Sequence, residues 1–226
     1  MIYVFDQIMK AIRADDVKEQ IRSDIVSGAL AFGARLRIDD LASRYNASHM
    51  PVREALRSLA GEGLVTTEPN RGARVVSIDR QRFLHLLSIR LAMEMTLARE
   101  AATKVTARDM TEIETLETQR LTLAESGRYG EAVAVNQRFH RRIYEVSGNA
   151  EALNVLDRHW LLLAALWSRF GYRPERLGGV ADDHDHIIRA LRDRDAEASA
   201  LLVGAHVVKT RQDLLAQMTV LLEATQ

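Results

Sequence analysis

Hydrophobic spacing divides the chain into two kinds of text. Up to about residue 77 the apolar positions come in short groups punctuated by glycines and by Pro51 and Pro69; beyond it they recur at three- and four-residue intervals over long stretches. The first part predicts a helix over about 17–27 closed by Gly28, a turn at 32–34 and a short extended piece over 35–38. A second helix follows over 39–45, with Leu41 and Tyr45 four apart on its inner face. Asparagine tolerates left-handed backbone better than most residues, so Asn46 and Ala47 predict a tight turn, after which Ser48 caps a third helix over 49–61. Val52, Leu56 and Leu59 form that helix's inner stripe, and Pro51 sits in its first turn, where a missing N–H costs nothing. Arg53 and Arg57 face the other way. Two extended segments, 64–68 and 73–77, are joined by Pro69, Asn70, Arg71 and Gly72, which predicts a hairpin with an arginine at its tip.

The second part predicts helices alone, over about 80–103, 107–127, 129–147, 149–171, 180–193 and 195–224. Their breaks fall at Thr106, at Gly127 and Gly130, at Gly148, across 171–179 and at Arg194 and Asp195. The expected fold is therefore mainly α. A winged helix-turn-helix over 1–78, able to set its second helix in a DNA major groove, precedes an all-α bundle of six or seven helices over 79–226.

Composition narrows the classes without choosing among them. The 226 residues are 47% hydrophobic and 27% charged, the make-up of an ordinary globular chain and not of a disordered or collagen-like one. There is no cysteine, so disulfides and thiolate metal sites are excluded and a metal would have only nitrogen and oxygen ligands. The longest apolar run, Trp160 to Trp167, falls far short of the roughly 20 residues of a membrane helix, and the N-terminus carries acids where a signal peptide carries a basic flank. No membrane association and a cytoplasmic location are expected. Basic and acidic residues balance at 31 each, which gives no bulk attraction to nucleic acid. Between Arg35 and Val76, however, every cation is an arginine, the side chain suited to bidentate contacts with phosphate or guanine; a solvated face is the plain alternative.

The motif text of residues 26–75 is more specific than its charge. Ser27-Gly28, Leu41-Ala42, Ser48, the run Pro51-Val52-Arg53-Glu54-Ala55-Leu56, Glu62-Gly63-Leu64-Val65 and Asn70-Arg71-Gly72 together resemble the DNA-binding domain of GntR-type transcriptional regulators. The resemblance implies that Ser48 and Arg53 touch phosphate and bases from the recognition helix, and that Arg71 with Gly72 forms the wing tip that enters the minor groove. His49 stands where the family commonly has arginine, and Asn46 where it commonly has glycine. Histidine lacks arginine's fork, so the expectation is either a different operator base at His49 or a lower affinity. Arg57 is expected to be solvated or to lie near phosphate, without a base contact.

Five of the seven histidines lie beyond residue 135. Asn136 and His140, four apart, project from one helix face. The segments 136–149 (NQRFHRRIYEVSGN) and 182–206 (DDHDHIIRALRDRDAEASALLVGAH) resemble the FCD-type effector domain of the FadR-like branch of the same family. That resemblance implies a divalent metal inside the bundle, held at the positions of Asn136, His140, His184 and His206. His184 fits the family pattern better than His186. Three imidazoles and one oxygen suit zinc or nickel and leave positions open for a ligand, although the neutral amide of Asn136 is a weaker donor than a carboxylate; a metal-free polar pocket is the alternative. Arg90 matches an arginine that often faces the pocket, where it could hold an organic acid's carboxylate, the alternative being an ion pair with Glu94 one turn on.

The reading that follows is a ligand-responsive regulator, a homodimer on near-palindromic double-stranded operator DNA, that senses a small carboxylate effector through a bound divalent metal. A metal-dependent enzyme acting on a small carboxylate is the alternative from another class. No general base or nucleophile constellation accompanies the histidines to support it.

Overall fold

A helix forms first where Val17, Ile21 and Ile25 recur every fourth residue: α1, Ala14–Ser27, buries all three. It begins earlier than the apolar stripe suggests, because Asp15 and Asp16 suit the positive end of a helix and Asp16 accepts the backbone N–H of Arg13 at 3.1 Å. It ends at Gly28, whose left-handed φ of 85° lets its N–H bond back to Ile25. The computed structural model describes residues 13–68, 72–170 and 177–223. These fall into two compact units divided between Ile78 and Asp79.

In the first unit, β1 (Arg35–Leu36) and α2 (Ile38–Arg44) follow α1. Asn46 then adopts a left-handed φ of 50°, and Ala47 donates back to Ala42 at 2.9 Å, which makes the tight turn into α3 (His49–Gly61). Ser48 holds the N-cap position with extended backbone, yet its hydroxyl accepts no capping hydrogen bond, contrary to the expectation of a side-chain cap. Val52, Ala55, Leu56 and Leu59 are buried, and α3 packs on α1, α2 and the strand that follows it.

The wing is β2 (Val65–Glu68) and β3 (Gly72–Val75), antiparallel, with Thr66 opposite Arg74. It is larger than a hairpin. β1 pairs with the free edge of β3, Leu36 opposite Ala73, in a three-stranded sheet of order β1-β3-β2. That pairing also explains why β3 stops at Val75, short of the expected Ser77: Val75 exchanges bonds with Gly33 and Ala34, and Val76 turns its N–H to Leu64.

The second unit is all helix: α4 (Arg80–Lys104), α5 (Ala107–Glu125), α6 (Tyr129–Val146), α7 (Ala150–Phe170), α8 (Leu177–Arg192) and α9 (Ala196–Glu223). α4 lies along α9 and α5 along α6. Their breaks carry stop and start chemistry. Thr106 and Asp109 cap α5 reciprocally, Gly127 and Gly148 take left-handed φ of 74° and 76°, and Arg194 does the same at 55° before Asp195 caps α9 through Ala198. The expected break over 171–179 falls mostly on residues outside those described, and its last three residues belong to the first turn of α8.

Leu97, Ile113, Phe139, Ile143, Leu191 and Val203 meet in the bundle core. Phe139 is fully buried and stacks on His184, ring centroids 4.3 Å apart. Phe139→Ala should therefore cost about 3–5 kcal/mol of stability, read as a lowered urea midpoint; a loss below about 1 kcal/mol would show that the ring is not part of the close-packed interior.

Candidate functional site

The first unit presents one face free of core duties. Because Val52, Leu56 and Leu59 occupy the inner side of α3, Ser48, His49, Met50, Arg53 and Arg57 are left exposed on the other. Arg53, Arg57 and Ala60 of α3 and Thr67, Gly72 and Ala73 of the wing line a shallow groove. Neither Arg53 nor Arg57 makes an ion pair among the described residues, so both guanidiniums face solvent. His49 is partly engaged, its Nε2 lying 3.2 Å from Asp39 Oδ1 at the start of α2. Gly72 opens β3 with φ 87°, a conformation glycine alone adopts without strain. Arg71, the expected wing-tip residue, lies outside the described residues.

The second unit turns polar side chains inward. On α4 the buried stripe runs Phe83, Leu87, Arg90, Glu94, Leu97, Ala101, at spacings of four and three, so Arg90 and Glu94 occupy core positions. Both are about 2% exposed and form an ion pair, the Arg90 guanidinium lies 4.4 Å from the centre of the Trp160 ring, and Glu94 accepts the Tyr144 hydroxyl at 2.6 Å. Arg90 does line the pocket, but as the partner of Glu94. Burial together with the nearby Glu94 charge raises the Tyr144 phenol well above its ordinary range, so it stays protonated as donor.

His140 on α6, His184 on α8 and His206 on α9 meet in the interior, with ring centroids 4.9–5.0 Å apart and one nitrogen from each within 4.8 Å of the others. His186, two residues beyond His184, points to solvent, as does His85. Asn136, one turn before His140, lines the same cavity, and its Oδ1 is buried without a hydrogen-bond partner. Both ring nitrogens of His140 and Nε2 of His184 are likewise buried and unpartnered. Desolvation, and then the neighbouring imidazoles and arginines, push His140 and His184 well below the usual histidine range. Neutral imidazoles with free lone pairs, beside an unpartnered amide oxygen, are the donors a borderline divalent metal takes, so the residues fit such an ion.

Two carboxylates stand behind the cluster. Glu117 on α5 lies 2.6 Å from His184 Nδ1 and is held by two bonds from Arg120, at 2.8 and 2.5 Å. Asp183 lies 3.2 Å from His206 Nδ1 and is also bonded by Lys209. Partial burial works against ionisation of Asp183, yet the bonds from His206 and Lys209 outweigh it and draw the carboxyl down to about 2. Sequence reasoning missed Glu117, Arg120, Tyr144 and Asp183, and named Glu94 only as the alternative ion-pair partner of Arg90. A signal existed for some of them: Glu117 and Arg120 sit in the inner stripe of α5 with Met110, Ile113 and Ala124, where charged residues need an internal partner.

A winged helix-turn-helix with an exposed arginine face, joined to a helical unit built around a buried polar cavity, defines a DNA-binding regulator. The comparisons agree. Residues 13–75 match the bacterial regulatory proteins of the gntR family, and residues 85–209 match the FCD domain. The Nta operon transcriptional regulator of Aminobacter aminovorans is 30% identical over 186 residues, covering 81% of this chain and 85% of that protein. The HTH-type transcriptional repressor RspR of Escherichia coli is 29% identical over 195 residues, covering 83% and 82%. The solved structure of E. coli McbR/YncC superposes with a TM-score of 0.79 at 22% identity, over 93% of this chain and 100% of its own, a likeness of fold. The chain belongs to the GntR family and carries an FCD domain: it is a transcriptional regulator with an operator-binding winged helix-turn-helix, and not an enzyme. Among the described residues no helix is long and apolar enough to cross a membrane.

The buried pair on α4 has a measurable consequence. Arg90→Ala strands the Glu94 carboxylate in the interior and should cost about 3–5 kcal/mol, whereas Arg90→Met combined with Glu94→Leu, which removes both charges, should cost far less. Denaturant melts of Arg90→Met, Glu94→Leu and the double variant test this; additive losses would show that the two side chains do not act as a pair.

Proposed function

We propose that residues 79–226 form an effector-binding domain that senses a small organic acid through a divalent metal, and that residues 1–78 read a near-palindromic operator as one half of a homodimer in the cytoplasm. The observation that carries the sensing half is the convergence of three buried imidazoles, those of His140 and His184 with unpartnered nitrogens, beside an unpartnered amide oxygen. Asn136, His140, His184 and His206 would hold the ion, zinc or nickel by their donor chemistry. When bound, such an ion supplies positive charge and open positions for an anionic oxygen.

The residues around it set the selection. The cavity is small, about 40 Å³, room for a few water-sized groups. Trp160, Leu163 and Val180 give it apolar walls. Arg90 is engaged by Glu94, so its contribution is a hydrogen-bonding edge beside a carboxylate and not a free cation. That combination suits a compact acid with a hydroxyl or similar donor. An effector that binds the free and DNA-bound forms with different affinity changes operator affinity by that difference.

On the DNA side, Ser48, His49 and Arg53 of the recognition helix and Arg71 with Gly72 of the wing are the proposed contacts. The exposed arginines of α3 and the groove beside the wing support this.

Metal analysis of protein purified without chelator should find about one divalent ion per chain, and His184→Ala with His206→Ala should remove it. Asn136→Asp should tighten binding. A chain with no affinity for any divalent ion would overturn the metal reading. Separately, Arg53→Ala should weaken operator binding by about 1–3 kcal/mol more than binding to random DNA; equal losses on both would make Arg53 a phosphate contact.

A further inference from the structure

The three rings of the histidine cluster are held unequally. His184 turns Nδ1 toward Glu117, at 2.6 Å, and leaves Nε2 buried and unpartnered. His206 turns Nδ1 toward Asp183, at 3.2 Å. His140 has no hydrogen-bond partner on either nitrogen. Glu117 is itself locked, since Arg120 donates to both of its oxygens and Arg120 is about 1% exposed.

A neutral imidazole carries its proton on one nitrogen only, and the proton goes where an acceptor waits. A carboxylate facing Nδ1 fixes the proton there and turns the lone pair of Nε2 the other way. We propose that Glu117 and Asp183 are positioning residues that hold His184 and His206 in the Nδ1–H tautomer, so that both rings present Nε2 to a metal, while His140 is left without an orienting partner. The chain Arg120 to Glu117 to His184 ties α5 to α8; the chain Lys209 to Asp183 to His206 ties α8 to α9. The first is the firmer, because its acceptor is buried and held by two bonds, whereas Lys209 is exposed. Carboxylates behind ligating histidines orient the ring and raise its basicity, and their loss lowers metal affinity about 10- to 100-fold. The affinity part of this inference rests on the metal reading above; the tautomer part does not.

The test uses the full chain in two measurements. Long-range proton–nitrogen spectra of the metal-free, ¹⁵N-labelled protein, with His184 and His206 assigned by their asparagine variants, should show both in the Nδ1–H form. An Nε2–H form at His184 would overturn the proposal whether or not any metal binds. Zinc affinity is then measured by chelator competition for the wild type, for Glu117→Leu combined with Arg120→Met, and for Asp183→Asn. The double variant removes acceptor and counter-charge together and leaves no orphaned ion in the core, so its melting temperature should hold near the wild-type value. Its zinc affinity should fall about 10- to 100-fold and the His184 tautomer should change, with a smaller fall for Asp183→Asn. Unchanged zinc affinity in both variants would overturn the proposal. If the wild type binds no zinc, the metal reading fails and the tautomer spectra alone decide. If the double variant does not fold, Asp183→Asn and the wild-type spectra decide.

Discussion

Burial restricts His140 and His184 to neutral forms, because a proton added to either would place a charge about 5 Å from two other rings in a poorly polarisable interior. Neutral rings still have nitrogens that need partners. The bundle answers this unevenly: Glu117 serves one nitrogen of His184, Asp183 serves one of His206, and the remaining nitrogens of His140 and His184 have none within the protein. Much of the second unit's internal polarity follows from that demand. Each carboxylate near the rings needs a cation in turn, which places Arg120 against the buried Glu117 and Lys209 against the partly buried Asp183. The apolar residues do the rest, with Phe139 stacked on His184 and Trp160 beside His140 fixing the ring planes.

The first unit works under the opposite constraint. It is small, and Val17, Ile21, Val52, Leu59, Leu64 and Val75 supply the centre of its core. A core of that size allows little polar burial, so Arg53, Arg57 and His49 lie on the surface. The outward face of α3 is rich in cations for the same reason that its inward face is aliphatic: one helix with a single buried stripe leaves the rest of its surface to solvent or to a ligand. Pairing β1 to the wing stiffens the sheet that carries Gly72 and links the turn before α2 to the hairpin.

The sequence made the architecture readable because its signals were local. Gly28, Asn46, Gly127 and Gly148 mark turns by needing left-handed backbone, and periods of three and four residues set the helices. Asn136 and His140 share a cavity because their spacing of four places them on one face; His186 faces out because it lies two residues from His184. What could not be read was non-local. The pairing of Leu36 with Ala73 joins segments far apart in the chain, and no local pattern at Arg35–Leu36 distinguishes a lone extended piece from a third strand. Glu117 meets His184 across 67 residues of sequence. Arg90 is the instructive intermediate: the four-residue spacing to Glu94 allowed an ion pair and motif likeness suggested a pocket cation, and the structure has both features at once, a pocket-lining arginine already paired.

That pairing bears on what kind of signal the proposed sensor would take. Around the cluster Glu94 is matched by Arg90, Glu117 by Arg120, and Asp183 by Lys209, while an imidazole must be neutral to ligate a metal and the Asn136 amide carries no charge. The donor set proper carries no charge. In the proposed site a divalent ion would therefore retain its full double charge, where a carboxylate in place of Asn136 would cancel half of it. Weaker intrinsic affinity for the ion and stronger attraction for an anion beside it have the same origin, the amide at Asn136. With Glu94 already paired to Arg90, no unpaired carboxylate among the described residues lines the cavity to neutralise the ion. Ion and acid would then stabilise each other, each binding better when the other is present, as reciprocal coupling requires.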